Sequence, residues 1–280
     1  MKKLFVSSVL MMLALFVNAR VVTDSIESKV LSCKVKYNVY LPAGFNKNAP
    51  EKYPVLYLLH GFTDTYTAWV MKGRVQEIAD ELLQTGEMCP MVIIMPNAGG
   101  PDTKNTWNGY FNMEGWKYED FFFNELIPQA EKRYNIVGDR QHRAVSGLSM
   151  GGGGSTGYAL THPDMFSSCY LMSAWLESED NELDPNDKST YVRHAVHSRS
   201  AIDFVSSSSE DIVNKLKTLK WFIDVGDDDF LLSGNIKFYQ AMQAKHIPCE
   251  LRVRNGAHNW EYWHTALRTS LPFATRNFSK

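Results

Sequence analysis

Arg143-Ala144-Val145-Ser146-Gly147-Leu148-Ser149-Met150-Gly151-Gly152-Gly153-Gly154 is the stretch on which the fold turns. A short apolar run, Arg143 to Val145, leads into Gly-x-Ser-x-Gly, and a glycine-opened helical pattern, Gly152 to Leu160, follows it. Small residues on both sides of the serine suit a tight turn between strand and helix, which leaves no room for side chains and lifts the hydroxyl clear of the backbone.

A serine hydroxyl is a poor nucleophile until a base takes its proton, so a histidine and an acid are required downstream. His258 stands in Asn255-Gly256-Ala257-His258-Asn259-Trp260, just after the last strand-like run, and is the candidate base. The seven other histidines stand mostly in helical patterns or loops with no reason to reach Ser149. Asp224, Asp227, Asp228 and Asp229 crowd one strand end. Asp224 falls inside the apolar run, whereas Asp229, in Gly226-Asp227-Asp228-Asp229-Phe230-Leu231, falls beyond its end, where a loop can hold it against an imidazole. Asp229 is the preferred acid and Asp227 the alternative; its role would be to orient the imidazole and stabilise its cationic form. Acyl chemistry also needs donors aimed at the developing oxyanion. Leu58-Leu59-His60-Gly61-Phe62 ends another buried run, so the backbone N–H groups of Phe62 and Met150 are the candidate donors, with His60 supporting the turn.

Other apolar runs extend this reading. Val35–Leu41, Tyr53–Leu59, Met91–Met95, Ser168–Met172 and Leu219–Val225 read as strands, several apolar on both faces, and Glu250–Arg254 alternates as an edge strand should. Helical patterns fall between them at Arg74–Gln84, Tyr118–Tyr134, Asn235–Lys245 and Asn259–Leu271. Strands alternating with helices give an α/β fold with a mostly parallel sheet covered on both faces, whose function sits at the carboxyl ends of the strands. The interval from Ser149 to Asp229 has room for a strand plus a polar segment, about 175–210, which reads as an insertion with one or two short helices. Trp69, Asn97, Trp107, Tyr110, Trp175 and Trp260 fall in or near loops at the active end, and aromatic walls with an Asn suit a phenolic or sugar-bearing ester.

Composition narrows the class. The chain has 280 residues, 44% hydrophobic and 21% charged, which excludes a disordered polymer. A formal net charge of −2 offers no footprint for nucleic acid. Lys2 and Lys3 precede an apolar run, Leu4 to Val17, and Val17-Asn18-Ala19 resembles a small-residue cleavage site, the layout of a signal peptide over 1–19. The run is too short to span a bilayer, so the expectation is a secreted or periplasmic protein without stable membrane insertion, its domain being 20–280. Cys33, Cys89, Cys169 and Cys249 form no Cys-x-x-Cys pattern and no Cys/His cluster; no metal site is expected, and buried free thiols are preferred to disulfides.

These pieces together resemble the esterase family of α/β hydrolases that includes esterase D (S-formylglutathione hydrolase), tributyrin esterases, and feruloyl and acetyl xylan esterases. The resemblance rests on Leu59-His60-Gly61-Phe62 with Trp69, Met95-Pro96-Asn97, Tyr118-Glu119-Asp120-Phe121 leading to Glu125-Leu126-Ile127-Pro128, and the three motifs around Ser149, Asp229 and His258. It covers roughly Val35 to Phe273. It implies an α/β-hydrolase fold and a serine carboxylesterase working through an acyl-enzyme, with no cofactor and Ser149, Asp229 and His258 as triad, in the chain order of that fold. The expected substrate is a small-molecule or carbohydrate ester, carrying feruloyl or acetyl groups. An acyltransferase of the mycolyltransferase type, a thioesterase like S-formylglutathione hydrolase, and a binding module on the same scaffold are the alternatives.

Overall fold

The computed structural model describes residues 18–279. The leader expected over 1–19 lies outside the described residues except for its last two. At the centre is an eight-stranded sheet, in the order β1-β2-β4-β3-β7-β8-β9-β10. Its strands are β1 (Arg20–Ser28), β2 (Cys33–Leu41), β3 (Val55–Leu59), β4 (Val92–Pro96), β7 (Arg143–Leu148), β8 (Ser168–Met172), β9 (Lys220–Gly226) and β10 (Cys249–Arg254). From β4 to β10 every neighbour is parallel; β1 and β2 join antiparallel. A two-stranded ribbon, β5 (Asn112–Met113) and β6 (Trp116–Lys117), lies outside this sheet.

Alternation along each central strand feeds two cores. Val55, Tyr57 and Leu59 of β3, with Cys169 and Leu171 of β8, face one layer. Leu56 and Leu58, with Tyr170 and Met172, face the other. Both faces are buried, which is why these runs read as continuously apolar. The first layer holds α3 (Tyr118–Phe121), α4 (Ile127–Arg133), α5 (Met150–Thr161), α7 (Ala201–Ser207) and α9 (Leu232–Ala244). The second holds α1 (Ala68–Met71), α2 (Val75–Gln84) and α10 (Trp260–Arg276). The expected α/β-hydrolase architecture, with a mostly parallel sheet and helices on both faces, is what is found.

Three departures from the expected elements stand out, and the polar segment is found with short helices. The helix expected over Tyr118–Tyr134 is α3 and α4 joined by a π turn, Phe122–Leu126. Pro128 lacks an N–H and its ring crowds the carbonyl four residues earlier, which widens the turn before it. The last helix does not stop before Pro272 but runs on to Arg276, because Phe273 and Ala274 are buried against the sheet. The segment 175–210 carries α6 (Lys188–Ser198) and α7 and leads directly into α8 (Glu210–Leu216); Asp187, Ser200 and Ser209 cap these helices. Strand β1 had no counterpart in the sequence reading. It is tied to the helical layer by Asp24, which accepts hydrogen bonds from Tyr134 (2.6 Å), Tyr37 (3.2 Å) and Arg133. All four cysteines are free, but only Cys169 is buried; Cys33 is exposed and Cys89 and Cys249 are half-buried, so burial was wrongly expected for three.

Helix α5 approaches the sheet at backbone distance. A Cβ on Gly153 would lie 2.2 Å from the Trp175 carbonyl oxygen, and one on Gly151 would lie 2.5 Å from that of Leu59. Glycine inside a helix costs up to about 1 kcal/mol relative to alanine, yet alanine cannot fit here without moving main chain. Gly153→Ala should therefore destabilise the fold by roughly 1–3 kcal/mol in urea titration, reversing the usual order of helix propensity.

A second outcome follows at β1. Burial opposes ionisation of Asp24, but the hydrogen bonds from Arg133 and Tyr134 outweigh it and hold its carboxyl at about 2. A folded-state value below the unfolded one gives stability that is complete above pH ~4 and lost as pH falls towards 2. The stability gap between wild type and Asp24→Asn should close over that window when unfolding is followed as a function of pH.

Candidate functional site

Each candidate group sits just past the carboxyl end of a parallel strand. Phe62 follows β3, Ser149 follows β7, Asp229 follows β9 and His258 follows β10. Ser149 has φ 52° and ψ −118°, and its N–H donates to the Met172 carbonyl (2.9 Å) while its carbonyl accepts from Gly153 (2.9 Å) and Trp175 (3.0 Å). The turn thus projects a half-buried hydroxyl towards the histidine loop. Ser149 Oγ lies 2.9 Å from His258 Nε2, and His258 Nδ1 lies 2.9 and 3.0 Å from the two oxygens of Asp229. With Nδ1–H donating to the carboxylate, Nε2 is left as the acceptor for the serine proton.

The acid is held as an anion. Burial alone would raise its pKa, but hydrogen bonds from His258, Ser173 and the Leu231 N–H bring the Asp229 carboxyl below the usual range. Its neighbour Asp224 has a different environment. It is fully buried, accepts from the Tyr170 and Tyr262 hydroxyls (2.6 Å each) and pairs with Arg252, its register partner on β10. Asp227 accepts from the Gly256 N–H (2.9 Å), bracing the histidine loop, and does not meet the imidazole.

The donor side is shaped by His60. The Ala98 N–H donates to His60 Nε2 (3.0 Å), so the proton of the neutral ring is on Nδ1, which donates to the Gly61 carbonyl (2.8 Å). Burial pushes the His60 pKa down to about 4, against the Gly61 hydrogen bond, and keeps that tautomer neutral. The Asp64 N–H also binds the Gly61 carbonyl (3.2 Å). With this carbonyl held away, the trans peptide directs the Phe62 N–H the opposite way. Buried Asn108, which the sequence reading overlooked, donates to the carbonyls of Phe62 and of Gly100 (3.1 Å) and braces the next peptide. Met150 is the first residue of α5, where an N–H has no partner within the helix.

A cavity of about 580 Å³ opens over Ser149 and His258, walled by Phe62, Trp175, Trp260 and Trp263. Lys72, bonded to Asp64 (2.6 Å), and Arg193, from α6, also line it. Trp175 and Trp260, two of the six residues expected near the substrate, are thus at the cavity; the other four are not. Trp69 is 1% exposed, donates its indole N–H to the Leu59 carbonyl (3.1 Å) and packs on Trp260 from behind. Asn97 accepts from the Tyr66 N–H (3.1 Å) and, with Trp107, lines a separate hollow beside β2. Tyr110 is buried against His60, taking that residue's N–H on its hydroxyl (2.8 Å). Aromatic type and loop position could not reveal which face of a loop each ring would take. A more open hollow of about 780 Å³ lies at the amino ends of β9 and β10, away from these groups.

Residues 28–274 match the family described as "Putative esterase". A solved structure described as a ferulic acid esterase is 50% identical, with a TM-score of 0.90, over 94% of this chain and 100% of that one. An "Endo-1,4-beta-xylanase/feruloyl esterase" of Xylanibacter ruminicola is 35% identical over 151 residues, 53% of this chain and 20% of that much longer protein. An "Acetyl esterase" of Caldicellulosiruptor saccharolyticus is 24% identical over 240 residues, 81% of this chain and 85% of the relative.

The two buried aspartates should separate experimentally. Asp229→Asn should slow fluorophosphonate labelling of Ser149 by orders of magnitude, towards the ~10⁴-fold loss seen when such a triad holds its imidazole in the wrong tautomer. Asp224→Asn leaves Arg252 uncompensated and should instead lower stability by about 3 kcal/mol in denaturant titration.

Proposed function

Because the chain belongs to the Putative esterase family, we propose that it is an exported serine carboxylesterase that removes feruloyl or acetyl groups from sugars or polysaccharide. The observation that carries the reading is the continuous chain from Ser149 Oγ through His258 to Asp229, with both links at 2.9 Å. In this reading His258 Nε2 takes the serine proton as Oγ attacks the ester carbonyl. The N–H groups of Phe62 and Met150 meet the charge on the carbonyl oxygen. His258 then returns the proton to the departing alcohol, leaving an acyl group on Ser149. Water repeats the sequence and releases the acid. Every step uses groups of the chain and water.

The substrate class rests on two supports. One is the likeness over nearly the whole chain to a ferulic acid esterase at 50% identity. The other is the set of aromatic walls at Phe62, Trp175, Trp260 and Trp263, which suits a flat phenolic acyl group. Export rests on the Lys2-Lys3 and Leu4–Val17 pattern.

Purified protein should release ferulate from methyl ferulate and acetate from acetylated xylo-oligosaccharide, with one of the two clearly preferred. Ser149→Ala should lower kcat by about 10⁶-fold, the usual loss for a triad nucleophile. Undiminished turnover in that variant would overturn the mechanism. Transfer to an added alcohol in excess of hydrolysis would favour an acyltransferase.

A further inference from the structure

The described residues include a large aromatic side chain left in solvent beside the base. Phe230 is 75% exposed, and its ring centroid lies 4.4 Å from that of His258, tilted by 49°. One side of the ring meets the imidazole. It also lines the cavity over Ser149. Its backbone is not free to carry it elsewhere, because it lies inside the turn that holds the acid. The Leu231 N–H donates to Asp229 Oδ1 (2.8 Å), and the Leu232 N–H donates to the Asp229 carbonyl (2.9 Å). The ring is therefore presented to water by the same turn that places Asp229.

Proton return decides what such a ring would meet. The alcohol can leave only if its oxygen lies within hydrogen-bond reach of His258 Nε2, the atom that hands it the proton. The alcohol portion of the ester must then extend past the imidazole, while the acyl portion, bonded to Ser149, stays among Phe62, Trp175 and the oxyanion donors. Phe230 stands on the imidazole side. We propose that Phe230 is the platform on which the sugar bearing the ester lies, making it a specificity residue for the leaving alcohol and not for the acyl group. The axial C–H face of a sugar ring is apolar and weakly positive, which matches the negative face of a phenyl ring. This proposal rests on the esterase reading above.

The test compares methyl ferulate, whose alcohol is one carbon, with a feruloylated arabinoxylo-oligosaccharide, in wild type, Phe230→Ala and Phe230→Tyr. The quantity read is the ratio of kcat/KM for the oligosaccharide to that for the methyl ester. Phe230→Ala should lower this ratio about five- to tenfold, the worth of roughly one aromatic contact, mainly through a higher KM for the oligosaccharide. Phe230→Tyr, which keeps the face, should restore it. An unchanged ratio, with both substrates losing equally, would mean that the ring only steadies His258 and would overturn the platform alone. Wild type that cleaves neither feruloyl ester would overturn the feruloyl reading on which the platform rests.

Discussion

Ser149 is held in a backbone conformation, φ 52° and ψ −118°, that side-chain-bearing residues avoid, and the rest of the active end is organised around that hold. Such a conformation costs of order 1–3 kcal/mol and persists only where the surroundings over-determine it. Here three main-chain hydrogen bonds do so, to Met172, Gly153 and Trp175. They require α5 to lie almost on the main chain of β3 and of residues 173–175. The glycines at 147 and 151–154 are the consequence: a Cβ on any of them would meet a neighbouring atom at less than 3.0 Å. A helix with poor intrinsic propensity is thus kept in place by burial, since nearly all of its residues are buried.

How much of this could be read from the chain depends on whether a residue's neighbours in sequence or in space decide its role. The central strands were legible because burial on both faces removes polar residues from every position, as in Val55–Leu59 and Val92–Pro96. The convergence of Ser149, Asp229 and His258 was legible because each is tied to a strand end by local motif. Strand β1 was not, since an antiparallel outer strand can carry Arg20, Thr23, Asp24 and Glu27 and need not alternate cleanly. Phe230 lies inside the acid motif, and its residue type alone does not mark a lone phenylalanine as exposed. Its one sequence signal was adjacency to the acid, a place where a core residue would be hard to bury.

The aspartates around β9 show the same division within six residues. Asp224 has its side chain directed within a strand, so its partners come from across the sheet: Arg252 on β10 in direct register, and tyrosines from β8 and α10. The alternating Glu250-Leu251-Arg252-Val253-Arg254 pattern held that information, but only once the register was known. Asp229 lies past the strand, and its partners are its own turn and the loop opposite. Two chemically identical groups, both buried, are thus separated into a fold anchor and a group facing the imidazole by whether the strand has ended.

The segment after β8 shows how such a scaffold can reshape its cavity without disturbing the turn at Ser149. The Trp175 N–H is bonded to the Ser149 carbonyl, and its carbonyl closes on Gly153, so the start of the insertion is bolted to the elbow. The Trp175 ring meets Phe62 edge to face at 5.8 Å and so spans from the Ser149 side to the Phe62 side of the cavity. Beyond it the chain is polar and rejoins the fold through capped helices of seven to eleven residues, α6, α7 and α8, whose buried faces are short. Changes there can reshape the cavity rim, as Arg193 does, at little expense to the turn at Ser149. Main-chain bonds fix Ser149, while much of the cavity rim projects from segments outside that turn, which places the boundary between the fixed turn and the rim at Trp175.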